Sequence, residues 1–330
     1  MIWSYETLLS RQVGNGMNDN IFWDRIQERA NETITALREK RTPEIVRFAI
    51  HLTNRCNMSC IYCHEVKGNK IMDRKFFSNL CERAGKKGII HITGGEPTCV
   101  PWLDEEIYLQ RDIKMALNTN LLKLPSHKAM ESLFRVKTSL DDYDAERWNQ
   151  LVGGNYFEKV IANIKEAIYH VAYVSVSYTA THQNASRFER FIEFCQDNFP
   201  NLYSVSASFF KGDGDMALTK DDVAILFKAS EKLDSVSKHI FNTTHHMNGN
   251  YFPENIEIPC YLSMTERLYD EYGREFYCSH LFRDHVNPPG NPGKDQHCVT
   301  GCNARFYKYN QMVHQEIAAR RCSQEVMELV

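Results

Sequence analysis

No stretch of this sequence is apolar for long enough to span a bilayer, and its start, Met1-Ile2-Trp3-Ser4-Tyr5-Glu6, lacks the basic region and apolar core of a secretory signal. Neither membrane insertion nor export is expected, and the reading is of a cytoplasmic protein. The chain also lacks a long Lys/Arg block, and its net charge of -3 argues against a nucleic-acid footprint. A disulfide framework is not expected in a chain of this length without a secretory signal, because a reducing cytosol keeps thiols free. Eleven cysteines in 330 residues are many under those conditions and point toward metal or cluster ligation. With 43% hydrophobic residues the chain can bury a substantial core, as one large domain with a smaller appended unit.

Three of the cysteines, Cys56, Cys60 and Cys63, sit in Cys-Asn-Met-Ser-Cys-Ile-Tyr-Cys, just after an apolar segment. A structural zinc site needs four closed ligands, commonly two Cys-x2-Cys pairs, and no fourth ligand follows Cys63 at that spacing. Cubane iron-sulfur clusters normally take four thiolates, so three would leave one iron open to bind something else. Downstream, Ile89 to Thr93 reads as a short buried strand followed at once by Gly94-Gly95-Glu96-Pro97.

Apolar residues at Phe22, Ile26, Ala30, Ile34 and Leu37 make one helical face over 19–40, ended by Thr42-Pro43. From Ile45 onward, short apolar runs alternate with helical patterns, the mark of βα units on a parallel sheet. Strands are expected near 45–52, 89–93, 113–118, 135–140, 172–179 and 204–209, with helices near 73–87, 101–110, 125–133, 155–170, 186–198 and 221–236. Asp73 is the expected N-cap of the first of these helices, Phe76, Phe77, Leu80 and Ala84 its buried face, and Gly88 lies past its end. The expected fold class is α/β: a partial (β/α)6 TIM-like barrel with a small C-terminal β-hairpin and helix extension. Its expected domains are a helical segment over 1–44, the barrel over 45–236, and a linker, extension and C-terminal helix over 237–330. In such barrels reactive groups collect at the C-terminal ends of strands. The cysteine run, Gly94-Gly95-Glu96-Pro97, Asn118-Thr119-Asn120 and Ser139-Leu140-Asp141-Asp142 all fall at such ends.

The ordered pair of Cys56-x3-Cys60-x-Tyr62-Cys63 and Gly94-Gly95-Glu96-Pro97 resembles the signature of the radical SAM superfamily. The resemblance implies a catalytic 4Fe-4S cluster on Cys56, Cys60 and Cys63, with the open iron binding the amino and carboxylate groups of S-adenosylmethionine. Gly94, Gly95 and Glu96 would hold the amino group, and Tyr62 counts among the cofactor-binding residues. Ser139 and Asp141, and with less specificity Asn118 and Thr179, would meet the ribose; ordinary turn and strand-end chemistry is the alternative at these four.

Later, Cys260-x12-Gly273-x4-Cys278 spans a Tyr272-Gly273-Arg274 turn consistent with a hairpin, and Cys298-x3-Cys302 follows. This resembles the twitch or SPASM extension of the same superfamily, in its shorter form with one auxiliary 4Fe-4S cluster. Zinc on the same four thiolates is the alternative, and sequence does not separate the two metals. Cys195, on a helix with Phe188, Phe191 and Ile192, reads as a core residue. The family resemblance implies reductive cleavage of S-adenosylmethionine, hydrogen abstraction from an unactivated C-H bond, and a reducing partner such as flavodoxin or ferredoxin. The substrate expected is a residue of a ribosomally made peptide, to be oxidised, cross-linked or epimerised. About forty-five residues precede the first strand, so leader recognition would fall to a separate leader-binding protein. The other readings are a sugar, cyclitol or nucleoside substrate and, more remotely, a non-catalytic iron-sulfur or zinc scaffold.

Overall fold

The computed structural model describes residues 21–63, 65–210, 214–231, 261–276 and 304–321. Helix α1 (Ile21–Arg38) leads into a run of parallel strands: β1 (Arg47–His51), β2 (Ile89–Thr93), β3 (Lys114–Thr119), β4 (Arg135–Ser139), β5 (Val174–Ala180) and β6 (Ser204–Phe209). Between them lie α2 (Arg74–Ala84), α3 (Leu103–Leu109), α4 (His127–Ser132), α5 (Ala145–Val152), α6 (Phe157–His170) and α7 (Phe188–Asn198), with α8 (Lys220–Glu231) after β6. The six expected strands are present, paired in chain order. On each, alternate residues face the helices: Ile90 and Ile92, Met115 and Leu117, and Val174 and Val176 are buried in one core with Phe77, Leu80, Ile107, Val160, Ile164 and Phe191. The intervening positions turn to the inner face, away from the helices.

Two more strands extend the sheet on the β1 side. β7 (Glu266–Tyr269) runs parallel to β1 with Arg47 opposite Glu266 and Ile50 opposite Tyr269, and β8 (Glu275–Phe276) returns antiparallel to β7. The expected hairpin is therefore present, and it is continuous with the barrel sheet. Its turn is held by Asp270, whose Oδ1 accepts the backbone N–H groups of Tyr272 at 3.0 Å and Arg274 at 2.8 Å, while Gly273 takes φ +78°. The order β6-β5-β4-β3-β2-β1-β7-β8 leaves β6 and β8 as edges, so the barrel is open among the described residues. Helix α9 (Ala304–Arg321) packs on α1 through Ala30, Leu37, Tyr309, Val313 and Ile317, with Tyr261 and Leu262 between them. Arg29 ties this pair to the sheet, its Nη1 lying 2.6 Å from Glu266 Oε1.

Two local expectations need correction. Helix α2 begins as expected, Asp73 accepting from the Phe76 N–H, but it ends at Ala84 with Gly85 as its cap, φ +54°, donating to Cys81 O. Gly88 serves packing instead: a Cβ there would sit 2.6 Å from Ala84 O. The sequence reading also lacked α5, an eight-residue helix capped by Asp144, which accepts from Arg147 N–H, and by Gly153 at φ +74°. Its buried residues are Trp148 and Val152, and its last turn meets the cysteine loop. No described helix is long and apolar enough to cross a membrane.

Candidate active site

The cysteine loop leaves β1 at Leu52 and returns beside its own start, so it is closed at the neck. Thr53 forms a bridge with Ile71, its hydroxyl donates to Lys70 O at 2.6 Å, and Gly68 N–H donates to Asn54 O at 3.0 Å. Against that neck runs the loop after β2: Gly95 N–H donates to Thr53 O at 2.6 Å and Glu96 N–H to Arg55 O at 2.7 Å. This approach demands glycine. A Cβ on Gly94, which sits at φ +149°, would lie 2.5 Å from Thr53 O, and one on Gly95 2.5 Å from Arg55 O. The two sequence motifs are thus packed backbone to backbone.

The far side of the loop rests on the helix the sequence did not reveal. Ser59 and Ile61 N–H donate to Val152 O and Leu151 O, at 3.0 and 2.9 Å, so the last carbonyls of α5 are satisfied by the cysteine loop itself. His51 braces the entrance: Nδ1 lies 3.1 Å from Glu271 Oε2 on the β7–β8 turn, and Nε2 3.2 Å from Glu65 Oε2 just past Cys63. Burial alone would lower its pKa, but the two carboxylates outweigh that and raise it to about 9.

Cys63 is exposed, while Cys56 and Cys60 are half-buried. Burial pushes the Cys60 thiol up to about 12, with Asp141, Cys63 and Cys56 adding to the shift, and burial raises Cys56 as well. The three thiols therefore bear on one another electrostatically and gain most from a cation that takes up the thiolate charge. Yet they do not converge on one point. Among the described residues, the group whose ligand atoms lie within 4.8 Å of one another is His127, Glu166 and His170, on α4 and α6. Three soft thiolates spread around a loop suit a cluster of several metal atoms better than a single ion.

Glu96 is 1% exposed and fully engaged. Its Oε1 accepts the Thr98 N–H at 2.9 Å and the Thr98 and Thr119 hydroxyls at 2.6 Å each, and its Oε2 accepts the Asn120 N–H at 2.7 Å. Burial holds its carboxyl above the usual range despite these donors. The side chain thus joins the ends of β2 and β3. Thr98 and Thr119, absent from the expected site residues, are its partners.

Three of the expected cofactor residues meet directly. The Tyr62 hydroxyl donates to Asp141 Oδ2, and the Thr179 N–H donates to Asp141 Oδ1. Burial pushes Asp141 up to about 6, against the pull of these donors. Asn184, also unforeseen, donates its side-chain amide to Asp141 O at 3.1 Å and to Thr179 O at 2.9 Å. Next to it, the fully buried Asp142 is gripped by Arg187 through two bonds of 2.8 Å. Asn118 and Ser139 stand at inner-face positions of β3 and β4, with no side-chain hydrogen bond to another described residue. Cys81 and Cys195 are core residues, and Cys99 is half-buried in the turn after Glu96. Cys260, Cys278, Cys298, Cys302 and Cys322 lie outside the described residues.

Residues 50–195, which hold both motifs and strands β2 to β5 entire, match the model of the Radical SAM superfamily. The chain is 31% identical over 133 residues to a probable GTP 3',8-cyclase of Pyrococcus horikoshii, covering 37% of this chain and 43% of that one. It is 30% identical over 174 residues to the probable GTP 3',8-cyclase of Methanocaldococcus jannaschii, covering 49% and 58%. The chain thus spans about half the length of these curated relatives. In fold it is similar to Streptococcus suis SuiB bound to precursor peptide SuiA, at a TM-score of 0.58 and 15% identity over 94% of this chain and 77% of that one. It is similar also to native anSMEcpe with bound AdoMet, at a TM-score of 0.56 and 18% identity over 82% of each.

Proposed function

We propose that the protein is a radical enzyme that cleaves S-adenosylmethionine reductively and abstracts hydrogen from an unactivated C-H bond of a residue in a ribosomally made peptide. The observation that carries this reading is the cysteine loop clamped between Gly94-Gly95 on one side and α5 on the other, with Tyr62 tied to Asp141 beneath it. A 4Fe-4S cluster held by Cys56, Cys60 and Cys63 would supply the electron for that cleavage and, at its open iron, a seat for the amino and carboxylate groups of S-adenosylmethionine.

The protein's own residues then orient and shield. The backbone of Gly94 and Gly95 offers the amino group its partners, and Asn118 and Ser139 offer the ribose theirs. Asp141 and Thr179 act one layer back: Asp141 accepts from Tyr62, Thr179 and Asn184, and Thr179 is held by Asp141 and Asn184, so they position the loop rather than reach the sugar. A second 4Fe-4S cluster on Cys260, Cys278, Cys298 and Cys302 would accept the substrate electron, and a flavodoxin or ferredoxin would supply the first. The peptide substrate is supported by the likeness in fold to SuiB in complex with a precursor peptide, across 94% of this chain. A separate leader-binding protein belongs to this reading. The curated relatives support a second reading, a nucleotide substrate, since they are named as probable GTP 3',8-cyclases.

The test is iron content after anaerobic reconstitution, with 5'-deoxyadenosine production, in the wild type and in the triple variant Cys56→Ala, Cys60→Ala, Cys63→Ala. About eight irons falling to about four, with loss of 5'-deoxyadenosine, is expected. Undiminished 5'-deoxyadenosine from Cys56→Ala would overturn the reading.

A further inference from the structure

Parallel strands covered on both sides are usually near-continuous apolar runs, but the inner face here is polar and of one sign. From β2 to β6 its positions are Ile89, His91 and Thr93; Lys114, Ala116 and Asn118; Arg135, Lys137 and Ser139; Ser175, Ser177 and Thr179; and Ser204, Ser206 and Ser208. None is a carboxylate. Glu266, on the inner face of β7, is already claimed by Arg29 and Arg47, and Glu271 by His51.

The strand register gathers the basic side chains. His91 lies between Ala49 and Ala116, with Ala116 opposite Arg135, so two small side chains leave room beside the imidazole. One step nearer the cysteine loop, Lys137 pairs with Asn118 on one side and Ser175 on the other. Arg135 Nη2 donates to Ser175 Oγ at 3.0 Å, and Ser204 Oγ donates to the same oxygen at 2.9 Å, which fixes the guanidinium along the floor. The Lys137 ammonium and the His91 ring make no hydrogen bond or ion pair with any other residue in the described structure. Neither is sealed in: their nitrogens are not among the fully buried polar atoms that lack a partner, so both reach the space inside the barrel.

The charges are close enough to oppose one another. Burial, then Arg47, Arg135 and Lys137, hold His91 well below the usual histidine range, and burial and Arg135 push Lys137 down to about 8. A half-buried cation kept without a counter-ion costs stability, and such costs collect where a ligand supplies the missing charge.

We propose that Lys137, flanked by Arg135 and His91, is the substrate's anchor: it receives an oxyanion, a carboxylate or a phosphate, on the inner face of the barrel one strand layer below Ser139. This deepens the radical reading and rests on it only for calling the anion part of the substrate. A carboxylate would come from an acidic side chain of a peptide, and a phosphate from a nucleotide. The register then hangs the rest of the substrate toward the cysteine loop.

Calorimetric titration of the full-length protein with glutarate and, separately, pyrophosphate tests the site without turnover. The wild type should bind one of them, and Lys137→Met should weaken that binding by at least about tenfold while Lys137→Arg largely retains it. Lys128→Met, on α4, serves as the surface control and should bind like wild type. Preference for glutarate supports the site with a carboxylate-bearing substrate, and preference for pyrophosphate supports it with a phosphorylated one. Lys137→Met should also melt no lower than wild type, since it removes a half-buried charge that has no counter-ion among the described residues. Equal binding by wild type and Lys137→Met, or no binding of either anion by the wild type, overturns the proposal. Cleavage of S-adenosylmethionine by the wild type is measured separately; its absence, with anion binding intact, would sink the radical reading and leave the anion site standing.

Discussion

Tyr62, the residue before the last cysteine of the loop, donates its hydroxyl to Asp141 at the end of β4, across 79 residues of sequence. The bond fixes one end of the cysteine loop to the sheet. Its acceptor is fully buried and sits at the upper end of the carboxylate range, with an apparent pKa of about 6. Tyr62→Phe leaves Asp141 Oδ2 without its donor and should cost about 1–3 kcal/mol in urea unfolding. Asp141→Asn keeps an acceptor for Tyr62 and should cost less than Asp141→Ala. Unchanged stability in Tyr62→Phe would mean the bond contributes nothing to holding the loop.

Gly95→Ala tests the contact between the two motifs. The added methyl meets a backbone carbonyl, which cannot turn aside as a side chain would. A loss of about 1–3 kcal/mol is expected, together with poorer iron retention after reconstitution. Wild-type melting and wild-type iron content together would show that the loops can part without consequence.

Loss of the Asp144 cap should reach the cysteines through α5. Asp144→Ala removes the acceptor of the Arg147 N–H and should cost about 0.5–2 kcal/mol. Because Leu151 O and Val152 O hold the Ile61 and Ser59 amides, amide exchange at 59 and 61 should quicken in that variant. Exchange unchanged at both positions would argue that the loop is held from elsewhere.

His51 gives a pH dependence of definite sign. Its native pKa of about 9 exceeds the unfolded value of about 6.5, so the native state holds the proton more tightly. Its contribution is fully present below about pH 6.5 and is lost as pH rises through about 9. The full size is about 3 kcal/mol, and His51→Gln should flatten that part of the profile. An identical alkaline fall in the variant would assign the effect to other groups.

The strands were legible because each places apolar residues at alternate positions or in a short run, as in Ile89–Thr93 and Val174–Ala180, and the two motifs because their residues are adjacent in sequence. Helix α5 escaped because eight residues offer too little periodicity, although Asp144 and Gly153 marked both its ends. Glu96 was readable as a site residue, but its donors come from positions 98, 119 and 120, and no local pattern announces a carboxylate saturated from a neighbouring strand. The cationic inner face did leave a signal. Arg135-Val136-Lys137-Thr138-Ser139 alternates in charge where a central parallel strand should be apolar throughout. Deciding that the charged set faced inward required the barrel.

The pairing of β7 with β1 also sets an order of events during synthesis. Every contact that clamps the cysteine loop between Gly95, α5, Tyr62 and Asp141 comes from residues before 185, whereas the other edge of β1 waits for Glu266, 219 residues after Arg47. At a ribosomal rate of about 5–20 residues per second, that edge stays bare for roughly 10–45 s. An uncovered strand edge invites pairing with another nascent chain, so chaperone capture in that window would protect the thiol loop before its last neighbour arrives.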